Sequence, residues 1–197
     1  MHLWFLADTT LWDSFKAFDD AVYWFVSVFI SDGMTGFMKL ITFIGSGWSI
    51  TALAAAIPFF VFILKKKKFY TASLMVPLNI AGGSLLNEIL KRIFIRPRPD
   101  LHRLITEIGY SFPSGHSMNS MIFYGLMAWL LVRYARPRYG YPAAVILGLL
   151  ILLIGTSRIY LGVHYASDVI AGFIMGLAWL AFFIRAAKRF IMEPGKE

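Results

Sequence analysis

Two long uncharged stretches constrain this chain more than any other feature of its sequence. Residues 143–154 and 169–184 contain no charged residue, and over the whole chain 58% of residues are hydrophobic and 15% are charged. In soluble domains about a quarter of all residues are charged, so this composition indicates a membrane protein. The 197 residues are enough for several helices of about 20 residues, each crossing about 30 Å of hydrocarbon.

The hydropathy pattern predicts an all-α, polytopic transmembrane helix bundle with about five spans. We place the spans at residues 34 or 42 to 64, 69–90, 117–132, 143–159 and 165–184. Glycines 45 and 47 predict a bend in the first span. The second is only weakly apolar, which indicates that it packs among other helices. We treat residues 1–197 as one integral membrane domain, with the bundle at residues 34–184.

The N-terminal segment, residues 1–33, has too little apolar sequence for a span of its own. Its apolar run covers only residues 21–30 and is bounded by Asp20 and Asp32. Ten residues are too few to cross a bilayer, so we predict a helix lying in the membrane interface. The alternative is a sixth span through residues 21–44, which would have to bury Asp32 and Lys39.

Basic residues are divided unevenly between the two sides of the predicted bundle. One side, which includes the C-terminus, holds eleven Lys or Arg and the other holds eight. The positive-inside rule therefore predicts that the first side, with the C-terminus, is cytoplasmic. The net charge of +8 does not indicate nucleic-acid binding, because no basic, aromatic-interleaved soluble segment exists. The chain has no cysteine, which excludes disulfides and thiolate chemistry.

The chemically reactive side chains collect on the second side, in the loops 91–116 and 157–168. His164 and Asp168 are four residues apart at the start of a predicted helix, so they lie on one face. A carboxylate bonded to one ring nitrogen leaves the other free to act as a nucleophile or base. The alternative is a solvated pair without a catalytic role.

The segment "FPSGHS" predicts a capped helix start that can bind an anion. Ser114 is a suitable N-cap, and Gly115 allows a ligand to approach the free N–H groups. His116 would then lie beside the bound anion, where it can donate a proton to a leaving oxygen. An ordinary helix cap explains the same residues.

Lys91, Arg98 and Arg158 form a set suited to binding the oxygens of a phosphoryl group. Basic residues at span ends are also common headgroup anchors, and we assign Arg92, Arg96 and Arg103 largely to that role. A metal site is not expected, because these cations would repel a divalent ion. Glu88, three residues before Lys91, is expected to hold its ammonium group.

Three sequence blocks resemble the signature of the type 2 phosphatidic acid phosphatase superfamily. They are "KRIFIRPRP" (residues 91–99), "PSGH" (113–116) and "SRIYLGVHYASD" (157–168). Their order and spacing match K-x6-R-P, P-S-G-H and S-R-x5-H-x3-D, and the resemblance covers about residues 34–184. The superfamily includes bacterial phosphatidylglycerophosphate and undecaprenyl diphosphate phosphatases. Many of its members have six spans.

The resemblance implies roles for the residues that the sequence singles out. His164 would form a phosphohistidine with Asp168 orienting it, and His116 would protonate the leaving group and then activate water. Phosphate-binding groups would be Lys91, Arg98, Ser114, Gly115 and Arg158. No metal or cofactor is implied, and the site would face the extracellular or periplasmic side of the cell membrane.

The resulting expectation is metal-independent hydrolysis of a lipid phosphate or diphosphate. A prenyl diphosphate carrier such as undecaprenyl diphosphate is the first expected substrate, followed by phosphatidylglycerophosphate and phosphatidic acid. The partners are thus a membrane lipid and the bilayer, with no nucleic acid and no metal. Two alternatives remain: a lipid phosphotransferase of the same fold, or a phospholipid-binding or transport protein without turnover.

Overall fold

The protein is a helical bundle in the computed structural model, which describes residues 9–100 and 103–192. Its described part contains seven α-helices: α1 (Thr9–Ser27), α2 (Asp32–Ile44), α3 (Gly47–Ile63), α4 (Tyr70–Phe94), α5 (Gly115–Tyr134), α6 (Pro137–Tyr160) and α7 (Ala166–Met192). A short 3-10 helix, Lys67–Phe69, precedes α4. No strand occurs among the described residues, and the predicted all-α class is confirmed.

The loops predicted to carry chemistry meet at one end of the bundle, where Arg98 of the first loop contacts Val163 and His164 of the second. This site end is formed by residues 91–116 and 157–168, where α4 and α6 end and α5 and α7 begin. The basic end is formed by residues 65–68 and 133–138, where α3 and α5 end and α4 and α6 begin. Every Lys and Arg in the two segments of the basic end is exposed.

The central helix is α5, which packs against α3, α4, α6 and α7. Two glycines of α7 let its backbone approach α5 closely: a Cβ at Gly172 would collide with the carbonyl oxygen of Ser114, and one at Gly176 with that of Met118. Such spacing of small residues is typical of tight helix packing in membranes. The backbone N–H of Ser114 donates to the carbonyl of Asp168 at 3.0 Å. The start of α5 is therefore fixed directly to the first turn of α7.

Length and apolarity identify three helices that can cross a membrane, at Lys67–Phe94, Pro137–Tyr160 and Ala166–Lys188. The pair α2 and α3 passes the same criterion as one broken span, bent by 44°, which confirms the predicted bend. α5 is not among the helices that pass, but its polar Ser117 and Ser120 side chains are fully buried. With 20 residues, α5 has the length of a span, about 30 Å.

α1 is separate from the bundle spans. The helix is interrupted between Ser27 and Asp32, with Ser31 capping α2, so residues 21–44 do not form one continuous helix; the alternative of a sixth span there stays a prediction. Trp24 and Phe25 of α1 are exposed, as expected for a helix at headgroup level. Asp19 of the same helix is buried, which an interfacial helix does not predict. The interfacial location itself stays a prediction.

Candidate active site

The turn between α6 and α7 buries His164 and Asp168 at the site end. Gly162, with a φ of 70°, allows the chain to turn before His164, and Asp168 lies in the first turn of α7. Nδ1 of His164 is 3.4 Å from Oδ2 of Asp168, so the two side chains are within reach of each other. His164 is 3% exposed and Asp168 is 0% exposed, which excludes a solvated pair.

The contacts of the His164 ring determine where its proton lies. Nη1 of Arg98 is 3.1 Å from Nε2 of His164, and because a guanidinium only donates, Nε2 must accept with its lone pair. The proton is therefore on Nδ1, beside Oγ of Ser111 at 3.3 Å and the Asp168 carboxylate. Burial lowers the pKa of His164 to about 4, although Asp168 opposes this shift. At neutral pH the ring is uncharged, as a nucleophile requires.

Asp168 is held by donors from three other residues. Its Oδ2 accepts from Oγ of Ser111 at 2.5 Å and from the backbone N–H of Tyr165 at 3.0 Å. Its Oδ1 accepts from Nη1 of Arg96 at 2.5 Å. Neither Ser111 nor Arg96 was predicted as a site residue, and the assignment of Arg96 largely to a headgroup anchor is wrong, because that side chain is only 4% exposed. No motif spacing marks either residue.

The start of α5 is capped by Ser114, as its position predicts. Oγ of Ser114 accepts from the backbone N–H of Ser117 at 3.4 Å and from its hydroxyl at 3.0 Å. The proton of Ser114 itself remains available to a ligand. Asn87 of α4 lies against this turn: its amide donates to the carbonyl of Pro113 at 3.4 Å, and a Cβ on Gly115 would lie 3.1 Å from its Oδ1. Gly115 therefore keeps the backbone of this turn close to α4.

The three predicted phosphate-binding cations converge on His116, in the first turn of α5. Lys91, Arg98 and Arg158 all lie within electrostatic range of the His116 ring, and so does His164. The structure thus brings together groups from α4, α5, α6 and two loops that are far apart in sequence. Their roles stay predictions, since geometry alone does not establish what they bind.

Arg158 is the most enclosed of these cations. It donates to Oγ1 of Thr42 and, at 2.5 Å, to Oε1 of Glu107. Its Nε is buried and has no hydrogen-bond partner among the described residues. Buried polar groups are almost always paired in folded proteins. An unpaired donor in a cluster of cations therefore favours an anionic ligand at this point.

Glu107 places a carboxylate inside the same cluster. Partial burial opposes its ionisation, but the guanidinium of Arg158, with that of Arg98, lowers the pKa of the Glu107 carboxyl below its ordinary value. An ionised carboxylate therefore lies beside the cations that are predicted to bind a phosphoryl group. No role for Glu107 is predicted from the sequence, because this residue stands in a loop outside all three motif blocks.

Arg98 also connects the loop after α4 to the turn before α7. Its guanidinium donates to the carbonyl oxygens of Gly109 at 3.0 Å, Ile108 at 3.1 Å and Val163 at 3.0 Å. The side chain is thus oriented by backbone groups of the loop after α4 and of the residue before His164. This second role cannot be recognised from the K-x6-R-P spacing.

Two further expectations concern Glu88 and metal binding. Glu88 forms its ion pair with Arg92, at 2.9 Å on the exposed surface of α4, and acts on the expected partner Lys91 only at longer range. An i,i+4 pair of this kind is as favourable on a helix as the i,i+3 pair that we expected.

In the described part of the chain, no group of three or more His, Asp or Glu is arranged to hold a metal ion. Metal independence stays a prediction.

Comparison with protein families identifies the group to which this chain belongs. The model of the PAP2 superfamily matches residues 72–192, which contain the three motif blocks and the whole cluster around His116 except Thr42. The chain belongs to the PAP2 superfamily. The predicted family is therefore confirmed.

Characterised members of the PAP2 superfamily show the same relationship. Phosphatidylglycerophosphatase B of Bacillus subtilis is 38% identical over 143 residues, covering 68% of this chain and 70% of the relative. Lipid A 1-phosphatase of Rhizobium johnstonii is 34% identical over 131 residues, covering 59% of this chain and 50% of the relative. Because these relatives are phosphatases, the predicted enzyme class, a lipid phosphatase, is confirmed at the level of the family.

A solved structure from the PAP2 superfamily matches nearly the whole fold. The crystal structure of the transmembrane phosphatidylglycerolphosphate phosphatase from Bacillus subtilis superposes with a TM-score of 0.82 at 30% identity. The match covers 95% of this chain and 92% of that protein. Since the match extends beyond the motif blocks, it includes the broken α2–α3 span as well as the helices around the site.

Proposed function

We propose that this protein hydrolyses phosphate esters of membrane lipids through a covalent phosphohistidine on His164, without a metal ion. The observation that carries the proposal is the neutral, buried His164 ring, whose Nε2 lone pair faces a cluster of cations. Arg98 lies 3.1 Å from this nitrogen, and Arg158 is within its electrostatic range. A nucleophile beside groups that bind phosphoryl oxygens is the arrangement that phosphoryl transfer requires.

In the first step, Nε2 of His164 attacks phosphorus in line with the oxygen that links it to the lipid. A bond forms between Nε2 and phosphorus, the phosphorus–oxygen bond to the lipid breaks, and His116 donates a proton to the leaving oxygen. Lys91, Arg98, Arg158, the Ser114 hydroxyl and the Gly115 N–H bind the phosphoryl oxygens. Asp168 accepts the Nδ1 hydrogen bond and stabilises the positive charge that develops on the ring.

In the second step, water replaces the lipid. His116, now without its proton, accepts a proton from the water as its oxygen attacks phosphorus. The bond between phosphorus and Nε2 breaks, inorganic phosphate leaves, and His164 returns to its neutral form. Both steps use only groups of this chain and water, and every proton is transferred between His116 and an oxygen.

The proposed substrate is a lipid whose phosphate lies at the membrane surface. The site end of the bundle lies at the ends of helices with the length of membrane spans, so a lipid headgroup reaches it without leaving the bilayer. The Bacillus relative supports phosphatidylglycerophosphate as the first lipid to test, ahead of prenyl diphosphates and phosphatidic acid. The excess of basic residues at the opposite end supports a site on the outer face.

The test is phosphate release from purified protein in detergent, with phosphatidylglycerophosphate, undecaprenyl diphosphate and phosphatidic acid as parallel substrates. We expect release from at least one lipid in excess EDTA, and loss of at least about 10⁴-fold in a His164→Ala variant, because the nucleophile is gone. Thr156→Ala, on the outer side of α6, is the matched control and should retain full activity.

Chelation and the His164→Ala variant test different parts of this proposal. Complete loss of activity in EDTA would contradict the metal-free mechanism, whereas undiminished activity of His164→Ala would remove the covalent intermediate. Brief reaction with lipid labelled with ³²P should leave acid-labile, base-stable label on the protein. Transfer of this label to an added acceptor lipid rather than to water would identify a phosphotransferase.

A further inference from the structure

Arg96 lies between two buried carboxylates that come from opposite ends of the chain. Its Nη1 donates to Oδ1 of Asp168 at 2.5 Å, and its Nη2 donates to Oδ2 of Asp19 in α1 at 2.8 Å. The side chains of all three residues are at most 4% exposed. One guanidinium therefore links the carboxylate behind His164 to the N-terminal helix.

Neighbouring groups hold this bridge in a single geometry. The guanidinium of Arg96 lies between the rings of Trp12 and Tyr165, 4.4 and 4.0 Å from their centroids. Ser167 completes the network: its backbone N–H and its hydroxyl both donate to Asp19 at 2.8 Å, and Nη1 of Arg96 donates to its hydroxyl oxygen at 2.8 Å. The planar guanidinium group of Arg96, packed between two aromatic rings, therefore has little rotational freedom.

Polar contacts, in addition to apolar packing, fix this part of α1. Val22 and Val26 of α1 pack against Ile159 and Val169 further along the helix. Near Asp19, a cavity of about 250 Å³ is lined by residues of α1 and by His164 and Tyr165 of the turn before α7. The bridge through Arg96 spans the edge of this cavity. The polar contacts of Asp19 with Arg96 and Ser167 therefore hold α1 at the edge of this cavity.

We propose that Arg96, held by Asp19 of α1, is a positioning residue that fixes Asp168 and through it the His164 ring. This inference rests on the proposed function, because it assigns a role relative to the His164 nucleophile. It makes α1 a part of the catalytic apparatus rather than only a helix at the membrane surface. Asp19 lies outside the three motif blocks, and Arg96 occupies one of the unspecified x positions of K-x6-R-P.

The charge balance explains why two carboxylates share one arginine. If Arg96 paired with Asp168 alone, its positive charge would neutralise that carboxylate. Asp168 would then stabilise less well the positive charge that develops on His164. Asp19 draws part of the guanidinium's hydrogen bonding away, so Asp168 is held in place while its negative charge remains available to the ring. Groups that orient a catalytic residue's partner commonly contribute about 10- to 100-fold in activity.

The variants Arg96→Gln, Arg96→Lys and Asp19→Asn test this role with short-chain phosphatidic acid in detergent as the substrate. We expect kcat to fall by about 10- to 100-fold in Arg96→Gln and by about threefold to tenfold in Asp19→Asn, with KM within about twofold. Arg96→Lys should recover part of kcat, because an ammonium keeps the charge but cannot bridge both carboxylates. The matched control is Arg92→Gln, four residues earlier in an exposed pair with Glu88, which should leave both constants unchanged.

A double variant separates positioning through Asp168 from general stabilisation. If Arg96 acts through Asp168, adding Arg96→Gln to Asp168→Asn lowers kcat no further than Asp168→Asn alone. Multiplicative losses in the double variant would overturn the proposal, as would unchanged kcat in both Arg96→Gln and Asp19→Asn. Asp19→Asn preserves side-chain shape and decides the question if Arg96→Gln does not fold.

Failure of this inference and failure of the proposed function give different results. If His164→Ala is inactive while Arg96→Gln and Asp19→Asn are fully active, the phosphohistidine mechanism stands and only the positioning role is lost. If His164→Ala retains full activity, the proposed function is wrong whatever the Arg96 variants show.

Discussion

The two ends of the bundle both carry basic residues, but they place them in opposite environments. At the basic end, all Lys and Arg of residues 65–68 and 133–138 are exposed to solvent or headgroups. At the site end, Arg96, Arg98 and Arg158 are buried. The same contrast in exposure occurs between two arginines only four residues apart at the site end: Arg92 is exposed and Arg96 is buried.

The contrast shows that burial, and not the number of charges, distinguishes the site end from the basic end. Exposed charges interact weakly with their neighbours, and pairs such as Arg92–Glu88 contribute about 0–1 kcal/mol. Buried charges are costly unless they are paired. At the site end the pairing partners are Asp19, Asp168 and Glu107. Such an arrangement is expected where charge is needed for chemistry rather than for stability.

The largest expected difference between the ends comes from Arg158→Gln and Arg138→Gln. The first removes a buried cation that is proposed to bind the phosphoryl group, and it leaves Glu107 without its partner. We expect kcat/KM for lipid phosphate release to fall by about 100- to 1,000-fold. Arg138→Gln changes an exposed residue of the basic end and should have no effect. Equal losses in the two variants would show that the ends do not differ as burial indicates.

A smaller effect is expected when the internal anion of the site end is neutralised. Glu107→Gln keeps the size of the side chain but removes the negative charge that competes with a bound phosphate for Arg158. Inhibition by inorganic phosphate should become stronger. We expect the inhibition constant to fall by about tenfold, which corresponds to about 1.4 kcal/mol of binding free energy. Glu88→Gln is the control in an exposed pair. Weaker phosphate inhibition of Glu107→Gln would contradict the competition between the two anions.

The smallest expected effect is a pH-dependent difference in thermal stability between the protein and a His164→Asn variant. The pKa of His164 is lowered by burial from 6.5 to about 4, so below pH 6.5 the unfolded chain binds a proton that the folded chain does not. Stability from the neutral ring is complete above pH 6.5 and is lost as the pH falls to about 4. The melting temperature should fall more steeply over this window than that of His164→Asn, by roughly 5 °C. Parallel curves would show that His164 titrates normally.

Some features of the site follow from local sequence alone. The spacing of four residues brings His164, in the turn before α7, within reach of Asp168 in the first turn of α7. Ser114 caps α5 as its chemistry predicts, because capping depends on contacts over three or four residues. The break in α2–α3 is also local, since Gly45 stands where the two helices separate. The span at α5 is predicted from its apolar residues alone. That its polar residues Ser117 and Ser120 are buried is visible only in the structure.

Other features arise only when distant segments meet. Arg92, in the last turn of α4, and Arg96, just after it, have the same chemistry and lie four residues apart. No local rule therefore predicts that Arg92 is exposed and that Arg96 is buried between two carboxylates. The carboxylate of Asp19 reaches Arg96 across 77 positions of the chain, and Glu107 reaches Arg158 across 51. Pairings at such separations depend on how α1 and the loop after α4 pack on the finished bundle.

The sequence by itself determined that this chain is an all-α membrane protein, that it has the three PAP2 motif blocks, and which side chains those blocks contribute. Hydrophobic length and short-range helix spacing are enough for these conclusions, because they depend on one segment at a time. Only the tertiary structure decided that α1 joins the site through Asp19 and Arg96, that Ser111 shares the His164 proton with Asp168, and that Glu107 lies among the cations. Each of these depends on which buried charges face one another, and burial is a property of the assembled fold.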